Sequence, residues 1–92
     1  MKKALAMVEY KTVSSGMQAA DIMVKTADVE VIEATTVCPC KYMVLISGEL
    51  SAVRAAVEAA VDRAKKSVGE DGMFLDSAVI PHPDEKIWHS IL

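Results

Sequence analysis

Both cysteines of the chain fall in a single tripeptide, Cys38-Pro39-Cys40. A thiol pair at a loop tip can ligate a soft metal, form a redox disulfide or react with electrophiles. Two thiols cannot complete a four-coordinate site by themselves. Metal binding here therefore requires further ligands from other chains or from solvent, so the most distinctive chemistry of the sequence points to an oligomer. The Cys-x-Cys spacing is shorter than the Cys-x₂₋₄-Cys of structural zinc sites. A disulfide inside the tripeptide would close a small ring, with the sulfurs of an extended backbone near the limit of allowed geometry. Free cysteine also occurs as a small buried hydrophobe, so the residues alone leave metal ligation, redox chemistry and packing open. Pro39 restricts the loop backbone. Lys41 can lower the thiol pKa or offset the charge of a bound cluster; it can equally be a solvated loop lysine.

The elements that must position these thiols are legible on either side. Val29–Val37 is rich in valine, isoleucine and threonine, and Tyr42–Ile46 is apolar throughout. Both read as strands, and together they make a hairpin with the tripeptide at its tip and a turn at Ser47-Gly48 beyond it. Upstream, Ala4–Glu9 reads as a strand buried on both faces. A turn at Tyr10–Val13 follows, with Ser14 or Ser15 as a helix N-cap. Val13, Met17, Ala20, Val24 and Ala27 recur at helical spacing and are expected to face the core, with the helix ending at Asp28. Downstream, Leu50, Val53, Val57, Ala60, Ala64 and Val68 form one helical face, closed by Gly69 as the C′ residue. Met73–Ile80 reads as the last strand, which Pro81 and Pro83 break. Asp84–Leu92 reads as a short helix with Trp88 as a packing anchor, and the methionines are expected mostly in the core. The order β-α-β-β-α-β-α gives an α/β (α+β) fold, the ferredoxin-like split βαβ pattern with a four-stranded antiparallel sheet.

Composition narrows the function. Ninety-two residues fit one domain, read here as 1–92. A chain this short buries a modest share of its surface, so burial between subunits would add stability. Hydrophobic residues make up 52% but aromatics only 4%, a composition of alanine, valine and methionine suited to close packing. Net charge is −3 and no basic cluster exceeds Lys65-Lys66, which argues against nucleic-acid binding. Glu9 and Lys11 interrupt the apolar run after the N-terminal lysines, so neither a secretory signal nor a membrane span is expected. Cysteines in such a chain fit a reducing cytoplasm, where pairs serve metals or redox more often than stapling. No Ser-His-Asp or paired-carboxylate arrangement is visible. His82 and His89 are seven apart with Pro83 between them, a poor metal pair.

Four short motifs, in order and at matching spacing, resemble one family. They are Ala4-Leu5-Ala6-Met7-Val8-Glu9-Tyr10-Lys11-Thr12, Ala19-Ala20-Asp21-Ile22-Met23-Val24-Lys25-Thr26-Ala27-Asp28-Val29, Gly48-Glu49-Leu50-Ser51-Ala52-Val53-Arg54-Ala55-Ala56 and Val79-Ile80-Pro81-His82-Pro83. The chain resembles single-domain bacterial microcompartment shell proteins of the hexamer-forming kind. The resemblance implies a homohexameric tile that joins other shell proteins edge to edge in a cytoplasmic microcompartment, with encapsulated enzymes as further partners. It places Val37, Cys38, Pro39, Cys40 and Lys41 in a pore loop on the six-fold axis. It places Lys25 and His82 at the tile edge, where the family often has arginine in place of His82. The family's usual pore tip is Gly-x-Gly; Cys38-Pro39-Cys40 departs from it toward shell proteins with a Cys-Pro step, including those of glycyl-radical microcompartments, which are associated with iron–sulfur clusters. The resemblance thus implies Cys38 and Cys40 as metal ligands of an iron–sulfur cluster, a 4Fe–4S cubane shared between subunits, passing electrons across the shell. Two other readings stand beside it: a metabolite-pore shell protein without a cluster, and a small trimeric ferredoxin-like ligand-binding regulator. A redox enzyme would need a reversible Cys38–Cys40 disulfide in the monomer.

Overall fold

A computed structural model describes residues 3–37, 41–66 and 74–91. Seven elements follow in chain order: β1 (Ala4–Tyr10), α1 (Val13–Thr26), β2 (Glu30–Val37), β3 (Lys41–Gly48), α2 (Leu50–Lys66), β4 (Phe74–Ile80) and α3 (Glu85–Ile91). The strands form one antiparallel sheet in the order β2-β3-β1-β4. This is the expected ferredoxin-like arrangement. β1 pairs with β3 on one side and β4 on the other. That central position accounts for its nearly unbroken apolar sequence.

The sheet has two unlike faces, because alternate residues point to opposite sides. Ala4, Ala6, Val8, Val44 and Ile46 lie on the face that meets the helices. There they pack with Ala19 and Met23 of α1 and with Val53, Ala56 and Ala60 of α2. Met23, Ile46, Val8, Val44 and Val53 are the largest fully buried side chains. Alanine at so many contact positions lets both helices lie close to the sheet and to each other. On the α2 face, Leu50, Val53, Val57 and Ala60 all join or touch this core, as their spacing predicts; Val68, the expected C′ residue Gly69 and Met73 lie outside the described residues.

Several local expectations are corrected. Tyr10 is still in β1, and β3 runs through Ser47 and Gly48 rather than turning there. The N-cap of α1 is Thr12, not Ser14 or Ser15. Thr12 has extended backbone and its Oγ1 accepts from the Ser15 N–H at 3.2 Å. Most of all, α1 is rolled about its axis. Its buried residues are Ser15, Gly16, Ala19 and Met23, whereas Val13, Met17 and Val24 are exposed. The reason lies across the interface. A Cβ on Gly16 would collide with the ring of Tyr42, so the first turns of α1 reach the sheet through the small residues Ser15, Gly16 and Ala19. Among the methionines, Met23 is in the core, Met7 and Met43 are half-buried and Met17 is exposed.

Asp84 caps α3 instead of lying inside it: its Oδ1 accepts from the Lys86 N–H and its carbonyl from the Ile87 N–H, both at 2.9 Å. Among the described residues α3 makes no substantial packing contact with any other helix or strand. Trp88 is only half-buried and Ile87 is exposed.

Candidate functional site

The hairpin that carries the thiols is paired to its last described residue. β2 and β3 keep register through Thr35 opposite Met43, Thr36 opposite Tyr42 and Val37 opposite Lys41. Opposed residues in an antiparallel pair have Cα atoms roughly 4.5–5.5 Å apart. The connection between them is three residues long, Cys38-Pro39-Cys40, and those three lie outside the described residues. A register shift between Val31 and Glu33 interrupts the hairpin near its other end; bulges of this kind increase local twist. Val37 and Lys41 are both half-buried.

An aromatic row anchors the base of the tip. Tyr10 stands opposite Tyr42 on one side and Phe74 on the other. Three of the four aromatic residues of the chain thus share one end of the sheet. Tyr10 and Phe74 meet edge to face with centroids 5.6 Å apart, a favoured geometry for aromatic quadrupoles. The Tyr10 hydroxyl donates to the Ala60 carbonyl of α2 at 3.5 Å. Burial pushes this hydroxyl up from the ordinary 10.0 to about 12, because the phenolate would lose its hydration. The Tyr42 ring lies on Gly16. The hairpin base is therefore fixed to α1, α2 and β4 at once. Sequence reasoning missed this row. The signal was present, since a chain with so few aromatics places three of them where strands begin or end.

The other candidate residues lie at the opposite end of the sheet. The row Glu30–Ser47–Leu5–Ile80 crosses all four strands there. Lys25, in the last turn of α1, precedes Glu30 by five residues, and His82 follows Ile80 by two. The sheet therefore separates the thiol hairpin from Lys25 and His82 instead of gathering them into one pocket. From Leu5 to Tyr10, at about 3.4 Å per residue, the two ends are roughly 17 Å apart. Lys25 Nζ bonds Asp21 Oδ2 at 2.8 Å, one helical turn back. Both side chains are largely exposed, so the pair is worth a few tenths of a kcal/mol at most. His82 is exposed, and Pro83 after it is buried. Among the described residues no group of three histidine, cysteine or acidic side chains could hold a metal ion.

A family profile described as BMC domain matches residues 4–83. The chain belongs to the BMC domain family. Its relatives are bacterial microcompartment and carboxysome shell proteins. The microcompartment shell protein PduT of Citrobacter freundii is 30% identical over 82 residues, covering 89% of this chain and 41% of PduT. The carboxysome shell protein CcmK2 of Thermosynechococcus vestitus is 33% identical over 87 residues, 95% of this chain and 83% of that protein. The crystal structure of a microcompartment protein from Desulfitobacterium hafniense DCB superimposes with a TM-score of 0.83 at 34% identity, over 99% of this chain and 47% of that one. This BMC domain thus spans less than half of PduT and of the Desulfitobacterium protein, and most of CcmK2. The family assignment fits the geometry: a small sheet with a tight hairpin at one end and Lys25 and His82 leading from the other.

Proposed function

We propose that this BMC domain is a subunit of a homohexameric shell tile, with the thiol hairpin at the centre and Lys25 and His82 at the rim. The observation that carries this reading is the pairing of Val37 with Lys41 at one end of the sheet, opposite the end that leads to Lys25 and His82. A subunit with distinct inner and outer ends can be repeated about an axis. The relatives named as microcompartment and carboxysome shell proteins support the assembly reading. Other shell proteins are then edge partners, and enzymes inside the shell are neighbours across the wall.

At the centre, Cys38 and Cys40 of several subunits bind an iron–sulfur cluster. The donor set fits this group in kind: thiolates are its usual ligands, four to a cubane cluster. It fits only in an assembly, because one chain supplies two thiols. Six equivalent loops offer thiols in sixes, so a four-ligand cluster uses some subunits and leaves other thiols free. The expected load is one cluster per hexamer. When bound, the cluster supplies one-electron redox chemistry at the pore. The chain's own contribution is to hold the hairpin base rigid through Tyr10, Tyr42 and Phe74, and to place Lys41 beside the tip as a cation.

The test is anaerobic purification followed by iron and sulfide quantitation. The cluster reading expects near-stoichiometric iron and sulfide that disappear in Cys38→Ser and fall in Cys40→Ser, with the hexamer intact. Full iron and sulfide in the double serine variant would refute the site. Zinc in place of iron, from iron-replete cells, would refute the cofactor.

A further inference from the structure

The charges at the end of the sheet away from the thiol hairpin fall into one row. The registers Glu30–Ser47, Ala4–Gly48 and Leu5–Ile80 can be carried just past the paired strands. They then set Asp28 opposite Glu49, Glu49 opposite Lys3 and Lys3 opposite His82. Two contacts support the extension. A Cβ on Gly48 would lie 3.1 Å from the Asp28 carbonyl oxygen, and Lys3, Asp28 and Glu49 line one cavity. All four residues are exposed, and among the described residues no ion pair joins them. Across the sheet the row is anion, anion, cation and then an imidazole. With strands about 4.8 Å apart it is roughly 14 Å long.

We infer that this row makes the joint between tiles pH-dependent: two copies meet about a two-fold axis with His82 of each set against Asp28 of the other, so acid tightens the joint and base loosens it. This rests on the tile reading. A two-fold contact is isologous and runs the row of one copy against the reversed row of the other. Reversal sets Asp28 against His82 and Glu49 against Lys3, opposite charges at every place once His82 is protonated. A slip of one place in either direction brings two Glu49 or two Lys3 together, so charge also fixes the register. Histidine is the side chain whose charge changes between about pH 5 and 8. Below that window each row carries as many cations as anions. Above it the imidazole is neutral, Asp28 loses its counter-charge and the two rows meet with net negative charge. The other charges near His82 are Lys3 ahead of β1, itself a cation, and Asp84, Glu85 and Lys86 on its own segment. The Asp84 carboxylate already caps α3, and Glu85 and Lys86 offset each other.

The experiment follows sheet formation of the full chain by light scattering and electron microscopy from about pH 6 to about pH 8.5, with the native mass recorded at each pH. Hexamers are expected throughout. The concentration at which sheets appear should rise about two- to thirty-fold toward the alkaline end, because each joint holds two exposed His82–Asp28 pairs. The isoelectric point is about 5.3, so general loss of charge also favours association in acid; His82→Gln carries that effect alone and should lose most of the rise. His82→Arg should hold the acid behaviour at every pH. Asp28→Lys combined with His82→Glu reverses the pair and should form sheets without the wild-type pH dependence. A His82→Gln protein that keeps the full rise, or a reversed pair that stays hexameric and forms no sheets at any pH, would overturn the proposal. Wild-type hexamers whose sheets are indifferent to pH would overturn the His82–Asp28 joint and leave the tile reading standing. A native mass of one or three copies would overturn both.

Discussion

Gly16→Ala puts the closest helix–sheet contact to the test. Alanine is the better helix former by about 1 kcal/mol, and Gly16 lies inside α1. Propensity alone therefore predicts stabilisation. The structure predicts the opposite. A Cβ at Gly16 would meet the Tyr42 ring at Cδ2, with Cε2 and Cγ each at 2.9 Å. The ring cannot withdraw freely, because Tyr42 is paired with Tyr10 and with Thr36 in the middle of the sheet. Overpacking of this kind costs about 1–3 kcal/mol, so the expected net loss is about 1 kcal/mol. In a Tyr42→Ala background the obstacle is gone, and the same Gly16→Ala change should stabilise by up to about 1 kcal/mol. The assay is urea unfolding of all four proteins at one fixed concentration, since assembly makes apparent stability concentration-dependent. A coupling of about 1–3 kcal/mol between the two sites is expected. Gly16→Ala that stabilises equally in both backgrounds would refute the argument that Tyr42 dictates the roll of α1.

Four further outcomes follow from the same contacts. Thr12→Ala should cost about 1 kcal/mol in urea unfolding through loss of the N-cap bond, whereas Ser14→Ala should be nearly silent. Met23→Ala should cost about 2–5 kcal/mol, because Met23 is fully buried between α1 and the sheet. Lys25→Ala should leave unfolding almost unchanged, since its ion pair with Asp21 is exposed, yet weaken sheet formation under electron microscopy; undiminished sheets would contradict its place at the rim. Burial raises the Tyr10 pKa from 10.0 to about 12, so the folded state favours the neutral phenol. Its stabilising contribution is complete below pH 10 and lost as pH rises toward 12. Tyr10→Phe should flatten alkaline unfolding across that window, and an unchanged alkaline profile would show that Tyr10 does not govern it.

The order of elements was legible because each carried its own period: alternating or continuous apolar runs for the strands, and the Leu50, Val53, Val57, Ala60 stripe for α2. The roll of α1 was not legible. Its sequence carries two apolar lines, Gly16-Ala19-Met23 and Val13-Met17-Val24, and periodicity favours the bulkier one. The choice was made by a residue on another element, Tyr42, whose ring needs the space above Gly16. The cap was misplaced by two or three residues because Thr12, Ser14 and Ser15 are all competent caps, and only the end of β1 at Tyr10 decides among them. The hairpin and its tripeptide tip could be read from composition; the aromatic row beneath it depends on strand register, which joins Tyr10, Tyr42 and Phe74 from three distant segments.

Anaerobic native mass spectrometry of the purified protein tests the central claim most directly, because it weighs the assembly and its cargo together. The account predicts a species of six chains of 9.9 kDa each, plus the mass of one iron–sulfur cluster, with the extra mass absent from the Cys38→Ser, Cys40→Ser variant and the six-chain species retained. A six-chain species of bare polypeptide mass from iron-replete, anaerobic cells would contradict the cluster; a stable monomer or trimer at micromolar concentration would contradict the tile.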